Sequence, residues 1–565
     1  MNLNENWAIE NIEIWASTIF NSKPGRGRSS AKSHFAYGVQ KLRGLILDLA
    51  VTGRLIDGKR QDDSTRESVE FLNSNNNTPT IKVKEMVNPS VSSLRKHLDA
   101  SLPATWKIVQ LNDIANVIRG VTYGKSDASD IRRFGDIQLL RGNNIQDALN
   151  FDDPIFIPKK LVGSEQVLVK GDIVIAMSSG SADLVGKSAQ YDDGEVDCTF
   201  GAFCGVIRPK SLDLAGYLAL FFKSPLYRRE VASFGKGIGI NNLQKSSLLK
   251  LDVPIPSNQE QGRIVAKVNE LMLLCDRLEQ RLNEASQAHN FLIKVWMDVL
   301  LQSKNSEVFE NNWNSIFKLF EKIFTTEFSI ELLKDVLHEL AVTGKLSTQD
   351  PSDKPAIELL NEKNTHQSYK EVLPNQWVAA TLDEFALKIT DGEHFRPPTQ
   401  ESGVYFLSAK DIREEGVSLD DPLYISAETS EKALKRCNPE YGDVLIVSRG
   451  ATVGRACKVN IREVFCLLGS VILIKSNLVL GDYLVLALRS PTIKKLLINA
   501  SGSTAQPAIY LRDLKKIVFP IPPLQEQMRI VKKMKELNSF CEELKLHISS
   551  LNQWKTKMSD VIGDI

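Results

Sequence analysis

Four stretches of this sequence occur twice, in the same order, and that duplication limits the fold more than any other feature. LRGLILDLAVTGRL (42–55) returns as LKDVLHELAVTGKL (333–346), and LPATWKIVQLNDIA (102–115) returns as LPNQWVAATLDEFA (373–386). VKGDIVIAMSS (169–179) returns as EYGDVLIVSRG (440–450), and a Pro-Ile-Pro step at 254 returns at 520. A period this long, with insertions confined to the connections, means two copies of one plan in one polypeptide. The order predicts an internal pseudo-twofold repeat.

Each Pro-Ile-Pro step opens a long helical run. Apolar or small residues fall at Ile264, Val268, Leu271, Cys275, Leu278, Leu282 and Ala285, a 4-3 rhythm that keeps one seam of a helix facing one partner. Ile530, Met534, Leu537, Cys541, Leu544, Ile548 and Leu551 repeat it. The spacing predicts two long antiparallel coiled-coil helices, packed on each other and available as a docking face. Some 35 residues at about 1.5 Å each span roughly 50 Å, comparable to one and a half turns of duplex DNA. Such a pair is a spacer.

Between the helices the pattern changes to short β-rich runs such as Ile173–Met177 and Gly205–Arg208, bounded by Gly, Asp and Ser turns and interleaved with helical pieces near 213–232. The fold class is therefore mixed α/β (α+β), with two globular domains separated by the long helices. Expected boundaries are an N-terminal helical region at 1–56, a linker at 57–101 with one short helix at 65–72, and a first domain at 102–253. A helical spacer at 254–346, a linker at 347–372, a second domain at 373–519 and a C-terminal helix at 520–565 follow. Within the helical parts, Gly53 and Gly344 are expected as left-handed C-caps of the Leu-Ala-Val-Thr-Gly helices.

At 565 residues the chain exceeds one core, and three to five structural units are expected. Lys and Arg number 70 against 69 Asp and Glu, so bulk charge offers nothing to a polyanion, and any nucleic acid must meet local basic loops. The acidic start, MNLNENWAIENIEIW, lacks the basic and apolar regions of a signal peptide, and no apolar run is long enough for a bilayer, so a cytoplasmic protein without membrane contact is expected. Seven scattered cysteines without a Cys-x-x-Cys point to neither disulfides nor zinc; Cys275 and Cys541 read as small buried thiols.

Several motifs imitate catalysis. GSADLVGKS (180–188) has five residues between its glycines where a phosphate-binding loop has four, and a turn and strand follow it instead of a helix. Asn438-Pro-Glu-Tyr441 differs by one residue from the Asn-Pro-Pro-Tyr of adenine methyltransferases, but its counterpart at 167–170 is Val-Leu-Val-Lys and no glycine-rich cofactor loop precedes it. His338-Glu339 lacks the second histidine of a helix-borne zinc pair. Glu543-Leu-Lys545 has no aspartate to complete a nuclease motif. The chain is expected to be no enzyme, with no catalytic residue, metal site or cofactor of its own.

Recognition chemistry remains. In the first domain it gathers at Arg119, Tyr123 and Lys125, at Arg141, Asn143 and Asn144, and in the glycine loop with Lys236, Asn241 and Asn242. In the second it gathers at His394 and Arg396, Lys410, Arg449 and Thr452, and Gln506. Arg and Lys bond guanine edges, Asn and Gln adenine edges, and hydroxyls phosphate oxygens, while glycines let backbone approach a sugar-phosphate strand. Shared scaffold with unlike loops suits two readers of unlike half-sites.

LAVTGRL with LAVTGKL, the Leu-Pro-x-x-Trp step into each domain, the Gly-Asp strand, and Pro-Ile-Pro followed by Gln-Glu-Gln-x-Arg-Ile-Val resemble the specificity subunit of type I restriction-modification systems, from about 38 to 562. The part before residue 38 is similar to the larger members. The resemblance implies that 102–253 and 373–519 are target-recognition domains, each reading one half of a split, asymmetric site in double-stranded DNA. It implies that the helices fix the gap and dock two modification subunits, which bring S-adenosylmethionine chemistry to a flipped adenine, while restriction subunits using ATP and Mg²⁺ join that core. The alternative is a coiled-coil assembly scaffold that does not itself bind DNA.

Overall fold

The apolar run of the Leu-Ala-Val-Thr-Gly repeat forms a helix in both copies, Tyr37–Val51 and Glu327–Val342, here called the leading helices. The end of each follows from its sequence. Gly53 (φ +73°) and Gly344 (φ +71°) take the left-handed conformation, and the next N–H reaches back to close a Schellman-type turn, Arg54 to the Leu49 carbonyl at 2.9 Å and Lys345 to that of Leu340 at 3.1 Å. Space demands glycine as well: an added Cβ would stand 2.5 Å from Pro103 in one copy and from Pro374 in the other. Those prolines belong to the Leu-Pro-x-x-Trp steps, so two motifs far apart in sequence are one contact.

The computed structural model describes residues 15, 19–21, 34–56, 102–181, 184–192, 196–234, 241–360, 373–500 and 508–563. They form two units, residues 1–284 with 552–565, and residues 285–551, and the division falls within both long helices, Asn258–Leu301 and Leu524–Gly563.

Both units are built alike. After the tryptophan, the strand Lys107–Gln110 pairs antiparallel with Asp252–Ile255, the strand that carries the first Pro-Ile-Pro. Val378–Thr381 pairs in the same way with Val518–Ile521. The start and finish of each domain are thereby laced together, and proline is tolerated because the ladder has only two strands. A buried tyrosine on a domain helix fastens the finish: Tyr217 donates to the Pro254 carbonyl at 2.7 Å and Tyr483 to that of Pro520 at 2.8 Å.

Between these laces lie a four-stranded and a three-stranded sheet. In unit 1 the four-stranded order is Ala115–Arg119, Cys204–Pro209, Ile173–Ala176, Ser188–Gln190; in unit 2 it is Lys388–Asp391, Val471–Lys475, Val444–Val447, Ala456–Lys458. The smaller sheets, Cys198–Phe200 with Asp136–Leu140 and Ile155–Pro158, and Phe465–Leu467 with Val404–Leu407 and Leu423–Ile425, also match, each with one parallel pair. The Gly-Asp strands are the buried centre of the larger sheets, all four residues of each being inaccessible. Their aspartates hold a cation from the neighbouring strand, Asp172 with Arg208 through two bonds of 2.8 and 2.7 Å, and Asp443 with Lys475 at 2.7 Å. The bonded carboxylate of Asp172 holds the Arg208 guanidinium above its ordinary pKa.

The 4-3 seams close within each unit on the leading helix. Ile264, Val268 and Cys275 are buried in one core with the leading helix of unit 1, and Leu271, Leu278 and Leu282 pack partly buried against it. Ile530, Met534, Cys541 and Ile548 are buried with the leading helix of unit 2, and Leu537 and Leu544 pack against them. Ion pairs repeat at matching positions: Arg43 to Asp276 at 2.7 Å, and Lys334 to Glu542 at 2.5 Å. Ala285 and Leu551, next in the rhythm, are exposed. A seam reveals that a helix has a partner without saying which one.

Three differences from expectation are plain. The region before residue 57 holds an antiparallel ladder, Ile19–Asn21 with His34–Ala36, beside its helix. The leading helix starts at Tyr37, five residues before the first repeated residue. Part of the second linker is packed, since Ala356 is fully buried, a short 3-10 turn spans Ala356–Leu360, and Arg529 pairs with Asp353 at 2.6 Å. The linker at 57–101, including the helix expected at 65–72, lies outside the described residues except for its borders.

Candidate nucleic-acid interface

In each unit the chain crosses from the larger sheet to the smaller at a glycine, and there the divergent loops begin. A Cβ on Gly120 would run into the carbonyl of Gly201, and one on Gly392 into that of Leu467. The residue that follows bonds to the smaller sheet, Val121 to the Phe200 carbonyl and Glu393 to the Leu467 carbonyl, both at 2.8 Å. Scaffold ends here, and sequence freedom starts.

In unit 1, Arg119 is exposed at the root of this loop, and its carbonyl accepts the side-chain amide of Gln166 at 3.0 Å. Tyr123 is half-buried against the small core of Val121, Ile137, Leu139 and Ile157. Lys125 is exposed at the head of a 3-10 turn, Lys125–Asp127. The next loop separates its three candidates. Asn144 is 3% exposed and spends its amide on the turn, its oxygen accepting Arg141 N at 2.8 Å and its nitrogen donating to the Asn150 carbonyl, also at 2.8 Å. Arg141 leans on Asp153 at 3.1 Å, and Asn143 is left exposed. Asn241–Asn242 pairs antiparallel with Ser178–Ser179, with the Asn242 side chain exposed. Lys236 lies outside the described residues.

Unit 2 repeats the geometry with other side chains. Asp411 takes the place of Asn144, its carboxylate accepting the backbone N–H of Ser408 at 2.8 Å, so Lys410 corresponds to Asn143. Lys410 is exposed and paired to Asp421 at 2.7 Å, a bond that raises its pKa. His394 is half-exposed beside Arg436, while Phe395 (88% exposed) and Arg396 stand free of the scaffold. Arg449 is exposed where the chain bridges to Ala508. Thr452 is half-buried and lines a cleft of about 270 Å³ with Glu414, Arg455 and Lys494. Gln506 lies outside the described residues.

Sequence reading missed the exposed apolar side chains of these loops, Ile131, Phe134, Phe203 and Phe395. The available signal was a large apolar residue inside a run of turn formers. Of the seam residues expected to serve the coiled coil and partner docking, Ile264, Val268, Ile530, Met534 and Ile548 are buried in the unit cores and Leu271, Leu278, Leu282, Leu537 and Leu544 are partly buried against them. The apolar side chains exposed on the same helices include Leu273, Leu274, Phe291, Val295, Leu546, Trp554, Met558 and Val561, with Leu551 from the seam.

The motifs that imitate catalysis have structural employment. Gly186 (φ +79°) leads into the strand Ser188–Gln190, and positions 182–183 of that motif lie outside the described residues. Tyr441 lies exposed beneath the Arg462 guanidinium. Glu339 accepts the backbone N–H of Thr492 at 3.0 Å and its hydroxyl, at the start of the helix Pro491–Ala500, as Asp48 does for Leu226 N at 2.7 Å before Pro225–Phe234. Burial pushes the thiols up, Cys204, Cys437 and Cys457 to about 12, and Cys275, Cys466 and Cys541 to about 11, so they stay protonated. Among the described residues no group of three or more His, Cys, Asp or Glu could hold a metal ion.

Two copies of one α/β scaffold, each laced at its ends and joined through long helices, with unlike polar loops at matching places, define a doubled recognition protein. A family model described as the type I restriction modification DNA specificity domain matches residues 103–286 and again 374–551, more than half of the chain. The chain belongs to that family, as a specificity subunit of a type I restriction-modification system and a non-catalytic component. Among its relatives, the EcoKI specificity subunit of Escherichia coli K12 is 28% identical over 458 residues, 80% of this chain and 85% of that protein. The EcoAI specificity subunit of Escherichia coli is 27% identical over 614 residues, 99% of each. The crystal structure of the HsdS subunit from Thermoanaerobacter tengcongensis covers 82% of this chain and 97% of its own, at 17% identity and a TM-score of 0.40.

Proposed function

We infer that this chain gives a type I restriction-modification complex its DNA sequence specificity, each unit reading one half of a bipartite, asymmetric duplex site. One observation supports this above the rest. The two units agree in the order of their four-stranded and three-stranded sheets and in their lacing bonds, yet differ in residue type at the loops that leave the sheet junction. A protein-binding scaffold gains nothing from that division, whereas unlike half-sites require it.

Arg119, Lys125, Asn143 and Asn242 in unit 1, and Arg396, Lys410 and Arg449 in unit 2, are the proposed DNA contacts. Their side chains carry the donors for guanine edges and phosphates, and Asn for adenine. Arg141, Tyr123, Thr452, Lys236, Asn241 and Gln506 belong to the same loops and are proposed as secondary contacts. Asn144 shapes its loop from within. The proposed domain limits are 102–253 and 373–519.

The long helices set the gap between half-sites. Docking of two modification subunits falls to their exposed apolar residues, Phe291, Leu546, Trp554 and Val561 among them, and the buried seams hold each unit together. S-adenosylmethionine, ATP and Mg²⁺ enter with the modification and restriction subunits. No helix among the described residues is long and apolar enough to cross a membrane, and we place the complex in the cytoplasm.

Equilibrium binding of the full-length chain alone to duplex DNA carrying its site, at several salt concentrations, tests the reading. With +1 net charge, attraction comes from the loops alone, and several phosphate contacts at about 0.9 each give a log–log salt slope between about −4 and −8. An assembly scaffold shows no duplex affinity at any salt.

A further inference from the structure

The loop that leaves Lys388–Asp391 is bolted at its root. Asp391 is 8% exposed and accepts a bond from a guanidinium nitrogen of Arg436. The same nitrogen lies 2.9 Å from Nε2 of His394, and that Nε2 is 3.7 Å from the other Asp391 oxygen. Since arginine only donates, His394 Nε2 accepts, which puts the ring proton on Nδ1. Nδ1 faces Gly469, where a Cβ would stand 3.2 Å away, and Gly469 N donates to the Glu393 carbonyl at 2.7 Å. Nε2 of His394 is thus turned to protein. Phe395 and Arg396 are left at the tip, exposed.

Unit 1 fastens the same place from the same connection with unrelated chemistry. Arg119 stands before Gly120 as Asp391 stands before Gly392, and its carbonyl takes the amide of Gln166. Gln166 and Arg436 both lie in the segment leading to the Gly-Asp strand, Gln166 closing a 3-10 turn and Arg436 a ten-residue helix, Ala427–Arg436. A tether supplied twice from one point in the fold, by different groups, marks a mechanical requirement of the loop.

We propose that Arg436, Asp391 and His394 are positioning residues that hold Phe395 and Arg396 as the base-contacting tip of unit 2. Arg396 reads a base edge, and Phe395 supplies the apolar contact beside it. This rests on the DNA-reading function proposed above. His394 thereby moves from contact to mount.

The test is to express the full-length chain with its modification subunits in cells and to map methylated sites genome-wide, scoring cognate against single-mismatch sequences in each half-site. Arg436→Gln and Asp391→Asn each relax discrimination about tenfold in one half-site and leave the other unchanged, and Arg436→Lys recovers part of it. Phe395→Ala and Arg396→Ala blur the same half-site. If Arg436→Gln abolishes methylation altogether, the volume-conserving Asp391→Asn decides by the same criterion. Sharp half-sites in Arg436→Gln and Asp391→Asn beside a blurred one in Arg396→Ala overturn the positioning role and leave the reading standing. Sharp half-sites in all four overturn the tip, and equal blurring of both half-sites reduces the cluster to a stability element.

Discussion

The indole N–H of Trp377 donates to a carboxylate oxygen of Glu526 at 2.8 Å, and Trp106 makes the same bond to Glu260 at 3.0 Å. This bond ties the Leu-Pro-x-x-Trp motif to the Gln-Glu-Gln motif, and so the start of each domain to the helix that leaves it. Beside it, Gln527 and Gln261 donate to the carbonyls of Pro522 and Pro256 at 3.0 and 2.9 Å.

The two carboxylates differ in load. Glu526 is fully buried and also accepts from Ser347 at 2.9 Å and Gln349 at 2.8 Å, whereas Glu260 is half-buried. Glu526→Ala strands the buried indole N–H of Trp377 and removes the bonds from Ser347 and Gln349, and is expected to cost about 2–4 kcal/mol, against about 1–2 kcal/mol for Glu260→Ala. Hydrogen exchange of Val378–Thr381 and Lys107–Gln110 in the two variants checks the difference.

Gly344→Ala combines a left-handed φ with a clash against Pro374, and is expected to destabilise unit 2 by about 2–4 kcal/mol. Gly53→Ala does the same to unit 1. Pro374→Ala should return part of the loss in the double variant, measured by denaturant unfolding, because it removes the atom the new methyl meets.

His338 replaces the leucine that unit 1 has at position 47, and burial lowers its pKa to about 4 from 6.5. Its Nδ1 bonds the Lys334 carbonyl at 2.7 Å, and Nε2 is buried without a partner. Between pH 6.5 and 4 the unfolded chain binds the proton and the folded chain does not, so stability falls as pH falls, by about 2 kcal/mol at pH 5. His338→Leu should remove that share of acid sensitivity, read as the change in urea midpoint between pH 7 and pH 5.

The spacer carries its own prediction. Removing seven residues from the exposed stretch near 283–289, with seven from 549–555, shortens the helices by about 10.5 Å, or about three base pairs. Methylation mapping should show the gap reduced by that amount, or no methylation, with both half-sites unchanged. Altered half-sites at an unchanged gap contradict the division of labour.

The duplication and the helix caps at Gly53 and Gly344 were legible because each is a local rule written twice. What those motifs touch was not. Nothing local says that Gly344 leaves room for Pro374, that the seam of 530–548 closes on Glu327–Val342, or that Glu339 caps a helix starting at Pro491, since these contacts span 30 to 200 residues or so and depend on the assembled core. At the candidate site, residue type could not separate the exposed Asn143 from Asn144, which is spent on its own turn. Alternation of bonded and free positions in a four-residue turn decides that, and the turn is visible only in three dimensions.

Everything proposed for this chain turns on each unit owning one half-site. Residues 102–253 are to be replaced by the equivalent domain of a relative with a different target, the chain expressed with its modification subunits, and the methylated sequence mapped. The expected result is a new sequence in one half-site, with the other half-site and the gap retained. A change in both halves, or in neither, contradicts it.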